Sequence, residues 1–84
     1  MKFVAEIDVM PLKELLDPQG KAVKLGLQKL ELPHVSDVRI GKHISLQLEA
    51  DSLEKAEAAV ETACKKLLSN MVMESYEYQL KQVD

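Results

Sequence analysis

Cysteine is almost missing from this sequence: among 84 residues there is one, Cys64. No disulfide can therefore close within the chain, and without a Cys/His spacing pattern no structural zinc site is available. Glycine and proline number three each, too few for a collagen-like or low-complexity chain. An excess of basic charge is also lacking. Eleven Lys and Arg stand against fourteen Asp and Glu, a net charge of −3, which gives no electrostatic support for binding nucleic acid or an anionic membrane. There is no run of 18 apolar residues to cross a bilayer, and the alternating start from Met1 to Val9 does not resemble an export signal. A cytoplasmic location is the expectation, in keeping with an unpaired cysteine. With 46% hydrophobic and 30% charged residues, the chain reads as one small globular domain spanning residues 1–84. Folding at this length buries only about 60% of the unfolded chain's surface, so a second copy or another partner is expected to complete the core.

Phe3, Ala5, Ile7 and Val9 recur at every second position, with Lys2, Glu6 and Asp8 between them and Val4 the one apolar residue out of place. That is the period of a half-buried strand. After a connection from Met10 to Leu16, Asp17-Pro18 reads as a helix start, with an acid to accept from orphan amides and a proline for the first turn. Ala22, Val23, Gly26, Leu27 and Leu30 form the stripe of that helix, Gly26 suggesting a close approach to a sheet, and Pro33 ends it. Val35 to Ile40 reads as a second strand, Val38 and Ile40 inward. Gly41-Lys42 fits a type II′ hairpin turn into a third strand carrying Ile44, Leu46, Leu48 and Ala50. Asp51, three residues before Glu54, predicts the cap of a second helix with Leu53, Ala56, Val60, Ala63 and Leu67 inward, Lys65 and Lys66 in its last turns and Asn70 as its C-terminal cap. Tyr76, Tyr78 and Leu80 mark a last strand. The order β-α-β-β-α-β predicts an α+β, ferredoxin-like antiparallel sheet with two helices on one face, the first and third strands adjacent, and a largely polar opposite face.

Chemistry-bearing residues are few, and each has an ordinary structural explanation. His34 and His43 read as surface histidines, and Cys64, flanking the stripe of the second helix, as a small core residue. Glu54, Glu57 and Glu61 lie at helical spacing on a face expected to be solvated, with Lys65 paired to Glu61. Lys21, Lys24 and Lys42 could meet a phosphate but have no Gly-rich loop beside them. Tyr76 and Tyr78 could stack on bases as in RNA-recognition modules, but they alternate inward with Leu80, so the core reading is preferred.

Four stretches carry a resemblance. They are Leu16-Asp17-Pro18-Gln19-Gly20-Lys21-Ala22-Val23, Asp37-Val38-Arg39-Ile40-Gly41-Lys42 about fourteen residues further on, Glu49-Ala50-Asp51, and Cys64-Lys65-Lys66-Leu67-Leu68-Ser69-Asn70 with Glu74 and Tyr76. Together they closely resemble the PurS family, the small subunit of phosphoribosylformylglycinamidine (FGAM) synthase. The resemblance runs through nearly the whole chain, departing at Glu31–His34 and at Met71, where the family often has proline.

It implies a subunit without catalytic residues or a metal site, in a three-part enzyme of purine biosynthesis. A PurQ-type glutaminase subunit releases ammonia and a PurL-type large ATP-dependent subunit adds it to formylglycinamide ribonucleotide; this chain brings the two together, as a dimer or tetramer. ATP, Mg and glutamine would be used by the partner subunits and no cofactor by this chain, with neither nucleic acid nor membrane as partner. Asp17, Gln19, Gly20, Arg39 and Lys42 are the candidate interface residues, because both motifs fall at exposed ends of elements. Arg39, the only arginine, leads them, since its fork can bind a carboxylate or a pair of carbonyls. Two other classes share the element order. An ACT-like regulatory domain would bind a small molecule at a dimer interface. An acylphosphatase-like enzyme would need an arginine in a phosphate-cradling loop beside an asparagine, which Arg39 and distant Asn70 do not supply.

Overall fold

The computed structural model describes residues 1–84. Its elements are strand β1 (Lys2–Pro11), helix α1 (Pro18–Lys29), strand β2 (Lys42–Glu49), helix α2 (Leu53–Ala63), a π-helical turn (Cys64–Leu68) and strand β3 (Glu74–Gln82). β1 is the middle strand of an antiparallel sheet ordered β2-β1-β3. The alternation in β1 explains its place. Phe3, Ala5, Ile7 and Val9 are all fully buried, and they lie opposite Leu48, Leu46, Ile44 and Lys42 on one side. On the other, Ala5, Ile7 and Val9 oppose Leu80, Tyr78 and Tyr76. The reverse face carries Glu6 and Asp8 beside Ser45 and His43, a largely polar surface broken in β1 by Val4 and Met10.

Helix α2 covers the apolar face through Ala56 and Val60, continued by Cys64 at the start of the π turn. The burial places Cys64 in the core as a small apolar residue and pushes its thiol pKa up. The predicted inner stripe is altered at both ends: Leu53 is 49% and Leu67 83% exposed. In the π turn Ser69 N–H bonds back to Cys64 O. That wider turn carries Leu68, rather than Leu67, towards the core cluster. The cap of α2 is Ser52, whose hydroxyl accepts from Lys55 N–H; Asp51 instead pairs with the Lys55 ammonium at 3.3 Å. Asn70 lies beyond the helix and shapes the next turn, its side chain accepting from Val72 N–H and its carbonyl from Met73 and Glu74.

Four expectations for the first half need correction. Residues Val35 to Ile40 form no strand, and β2 pairs with β1 rather than with them. No II′ hairpin exists at Gly41-Lys42 either, since no glycine has positive φ. Gly41 is needed for space: a Cβ there would meet Met10 Sδ and the Val9 carbonyl. Gly26, in contrast, approaches nothing. Helix α1 buries only Gly20 and leaves Val23 41% and Leu30 71% exposed, so its apolar stripe is not spent on the sheet. It ends before Pro33, in a Schellman turn where Glu31 (φ 64°) takes the left-handed position and Leu32 N–H reaches Leu27 O. The projecting helix shows in the dimensions. The radius of gyration is 16.6 Å, against about 12 Å for a compact domain of this length.

Candidate functional site

The predicted interface residues gather where the chain between α1 and β2 crosses back over the start of α1. Asp17 caps α1: one carboxylate oxygen accepts from Gly20 N–H at 2.9 Å, the other from Ile40 N–H at 2.8 Å. The two amides hold its carboxyl below the usual carboxylate range, Gly20 foremost. Gly20 is buried there because a Cβ would run into the Val38 carbonyl. Arg39, from the same crossing segment, donates to the Pro11 carbonyl at the end of β1. One carboxylate, one glycine and one guanidinium thus clamp residues 38–40 against both α1 and β1. The clamp also accounts for the missing strand, since Ile40 N–H goes to a side chain instead of a ladder.

Asp17, Gly20 and Arg39 are brought together; Gln19 is exposed beside them. Lys42 stands apart as the first residue of β2, opposite Val9. Next to the clamp lies an open cleft of about 370 Å³ whose lining includes Lys13, Lys21, Lys24, Asp37 and Arg39. Lys42 is not among them, so the lysine trio suggested by the sequence divides, and Lys13 joins Lys21 and Lys24 in its place. A larger cleft of about 780 Å³ on the other side of Arg39 includes Lys42 and His43 but also Asp8, Glu14 and Glu77.

Two polar clusters escaped the sequence reading. On the open sheet face His43 bonds through Nδ1 to Asp8 (2.7 Å) and through Nε2 to Glu6 (2.6 Å), while Ser45 Oγ donates to Glu6 at 3.0 Å. Asp8 and Glu6 raise the histidine pKa, and His43 followed by Ser45 lowers that of Glu6. The signal was present in the alternation, which puts all four on one face, but their pairing depends on register. On the helix side, Glu61 keeps its side chain 40% exposed, as a solvated face would have it, but also reaches the sheet. It accepts from Tyr76 at 2.5 Å and Tyr78 at 3.0 Å, with Lys65 at 3.8 Å. The tyrosines stack with ring centroids 6.4 Å apart, and both phenols are pushed up to about 12. In both clusters the reactive atoms bond to one another, leaving no hydroxyl beside a free base. No group of three or more His, Cys, Asp or Glu is placed to hold a metal ion, and no helix is long and apolar enough to cross a membrane.

The family model described as PurS, phosphoribosylformylglycinamidine (FGAM) synthase, matches residues 4–82. The chain belongs to the PurS family. It is 47% identical over 66 residues to the PurS subunit of a Synechocystis species, covering 79% of this chain and 66% of that one. With the Bacillus subtilis PurS subunit it shares 42% over 73 residues, 86% of each chain. Among solved structures, PurLQS from Thermotoga maritima contains a chain that superposes with a TM-score of 0.87 at 36% identity, covering 96% of this chain and 99% of that one. Its function is thus that of a PurS subunit of FGAM synthase in purine biosynthesis, and the ACT-like alternative is not supported. The fold joins the two most specific PurS-like motifs physically: Asp17 and Gly20 of the first contact Ile40 and Val38 of the second.

Proposed function

We propose that this PurS chain is the non-catalytic adapter of its synthase, holding a PurQ-type glutaminase against a PurL-type ATP-dependent subunit in the cytoplasm. ATP, Mg and glutamine belong to those partners, and this chain binds no cofactor. Asp17, Gln19, Gly20, Arg39 and Lys42 lie at or beside the surface that meets them, with Asp17, Gly20 and Arg39 holding the clamp and Gln19 and Lys42 free to make contacts. The observation that carries the reading is the 0.87 TM-score likeness to a chain of the Thermotoga maritima PurLQS structure. The projecting α1 supports self-association as a dimer or tetramer: Val23 and, seven residues on at the C-cap, Leu30 are both exposed on one face of the helix, an apolar stripe that a lone domain does not cover. Mixing the purified chain with the two larger subunits should restore glutamine-dependent FGAM formation and co-elution of all three. Full synthesis by the larger subunits without this chain would refute the adapter role.

A further inference from the structure

We propose that the cleft beside the clamp receives an acidic, partly apolar segment of a partner subunit; this rests on the adapter reading and names the chemistry of its contact. The cleft gathers Lys13, Lys21, Lys24 and Arg39 against two carboxylates, Asp17 and Asp37. Asp17 is committed, both its oxygens accepting backbone amides. None of the four cations takes part in an ion pair, Lys55 and Lys65 being the only lysines that do; what sets the four apart is that they converge on one cleft. In a chain of net charge −3, a cleft with twice as many cations as carboxylates is a local reversal of the prevailing field. Such a reversal orients an oppositely charged partner during approach.

The lining decides between an acidic peptide and a small phosphate ligand. A phosphate site commonly adds backbone N–H groups at a helix start to its cations, but here Asp17 has already taken the Gly20 amide and places a carboxylate there. The cations are on long side chains from three separate parts of the chain, a spread suited to carboxylates spaced along a segment. Leu15 and Leu16, 39% and 77% exposed, line the same cleft. They offer nothing to a phosphate and a seat to an apolar side chain between acids.

Binding of the chain to the two larger subunits, measured at about 50 and about 500 mM salt, tests this. Lys21→Glu/Lys24→Glu is compared with Lys66→Glu/Lys81→Glu, which makes the same charge change away from the cleft. Lys21→Gln/Lys24→Gln guards against a folding defect, and circular dichroism confirms helicity in each. The cleft variants should lose about tenfold or more in affinity at low salt and show a flatter salt dependence, while the control keeps wild-type behaviour. Equal affinity and salt dependence in all forms would overturn the proposal. So would inorganic phosphate raising the melting temperature of the wild type but not of the cleft variants, which would mark a small-anion site. A change in self-association alone would assign the cleft to a second copy and overturn it as well. Failure of the unaltered chain to bind either subunit would instead sink the adapter reading beneath it.

Discussion

Gly20 and Gly26 lie six residues apart in α1, and alanine should act on them with opposite sign. Gly26 has nothing within reach of an added Cβ, so Gly26→Ala should gain the helix-propensity difference, about 0.8–1 kcal/mol. At Gly20 the new methyl meets the oxygen and carbon of the Val38 peptide and a carboxylate oxygen of Asp17. Because the obstacle is backbone, no rotamer change relieves it. Overpacking of this kind costs about 1–3 kcal/mol, and a contact with main chain belongs in the upper part of that range. After the propensity gain, a net loss of about 1–2 kcal/mol remains, so the two variants should differ by about 2–3 kcal/mol. For a domain of this size that separates their melting temperatures by at least about 8 °C. Thermal melts followed at 222 nm measure the difference, and amide exchange at Ile40 locates it, since its N–H is released if the crossing segment moves off Asp17. A Gly20→Ala variant as stable as Gly26→Ala, with Ile40 still protected, would show that residues 38–40 do not rest on α1.

Glu31→Gly should stabilise the chain by about 1 kcal/mol or less, relieving the left-handed residue while adding freedom to the unfolded chain; urea midpoints check it. His43, its pKa raised in the folded state by Asp8 and Glu6, contributes stability that is fully present below its unfolded pKa of about 6.5 and lost as pH rises through the higher folded value. Glu6, lowered, contributes above its unfolded pKa and loses that as pH falls through the folded one, so unfolding midpoints of the wild type should decline on both sides of that window, and His43→Gln should remove the alkaline decline. In Glu61→Gln, absorbance titration at 295 nm should find Tyr76 falling from about 12 towards 10 more than Tyr78, because the Glu61 bond is the main cause for Tyr76 whereas burial leads for Tyr78; equal shifts would contradict that ordering.

Where structure follows from contacts a few residues apart, it was legible in the sequence. The period of two in β1, β2 and β3 and the acid-proline start of α1 were sufficient, because burial of one sheet face and an orphan helix amide are local demands. Val35 to Ile40 carry strand-like alternation too, but the competitor for the Ile40 amide is Asp17, 23 residues away, and no pattern of neighbouring residues announces it. Ser52 and Asp51 are both competent caps, so the choice fell within a one-residue ambiguity. Leu67 was misplaced because the inner stripe assumes 3.6 residues per turn, and the π turn from Cys64 to Leu68 breaks that period. The candidate site was half legible. Its residues could be named from the resemblance, but their division into clamp and free surface needed the crossing segment to be seen.

That division sets what substitution can reveal about assembly. Arg39 leads the interface candidates because its fork can bind a carboxylate or a pair of carbonyls, and within the chain one arm already holds the Pro11 carbonyl. Removing it would loosen the loop that presents the cleft as well as remove a charge, and weakened assembly would follow from either cause. Lys21 and Lys24 hold nothing in the fold, so a loss there reports on the partner alone. The clamp fixes the geometry of the site and the lysines supply its charge, and a substitution that separates these roles has to leave Asp17, Gly20 and Arg39 in place.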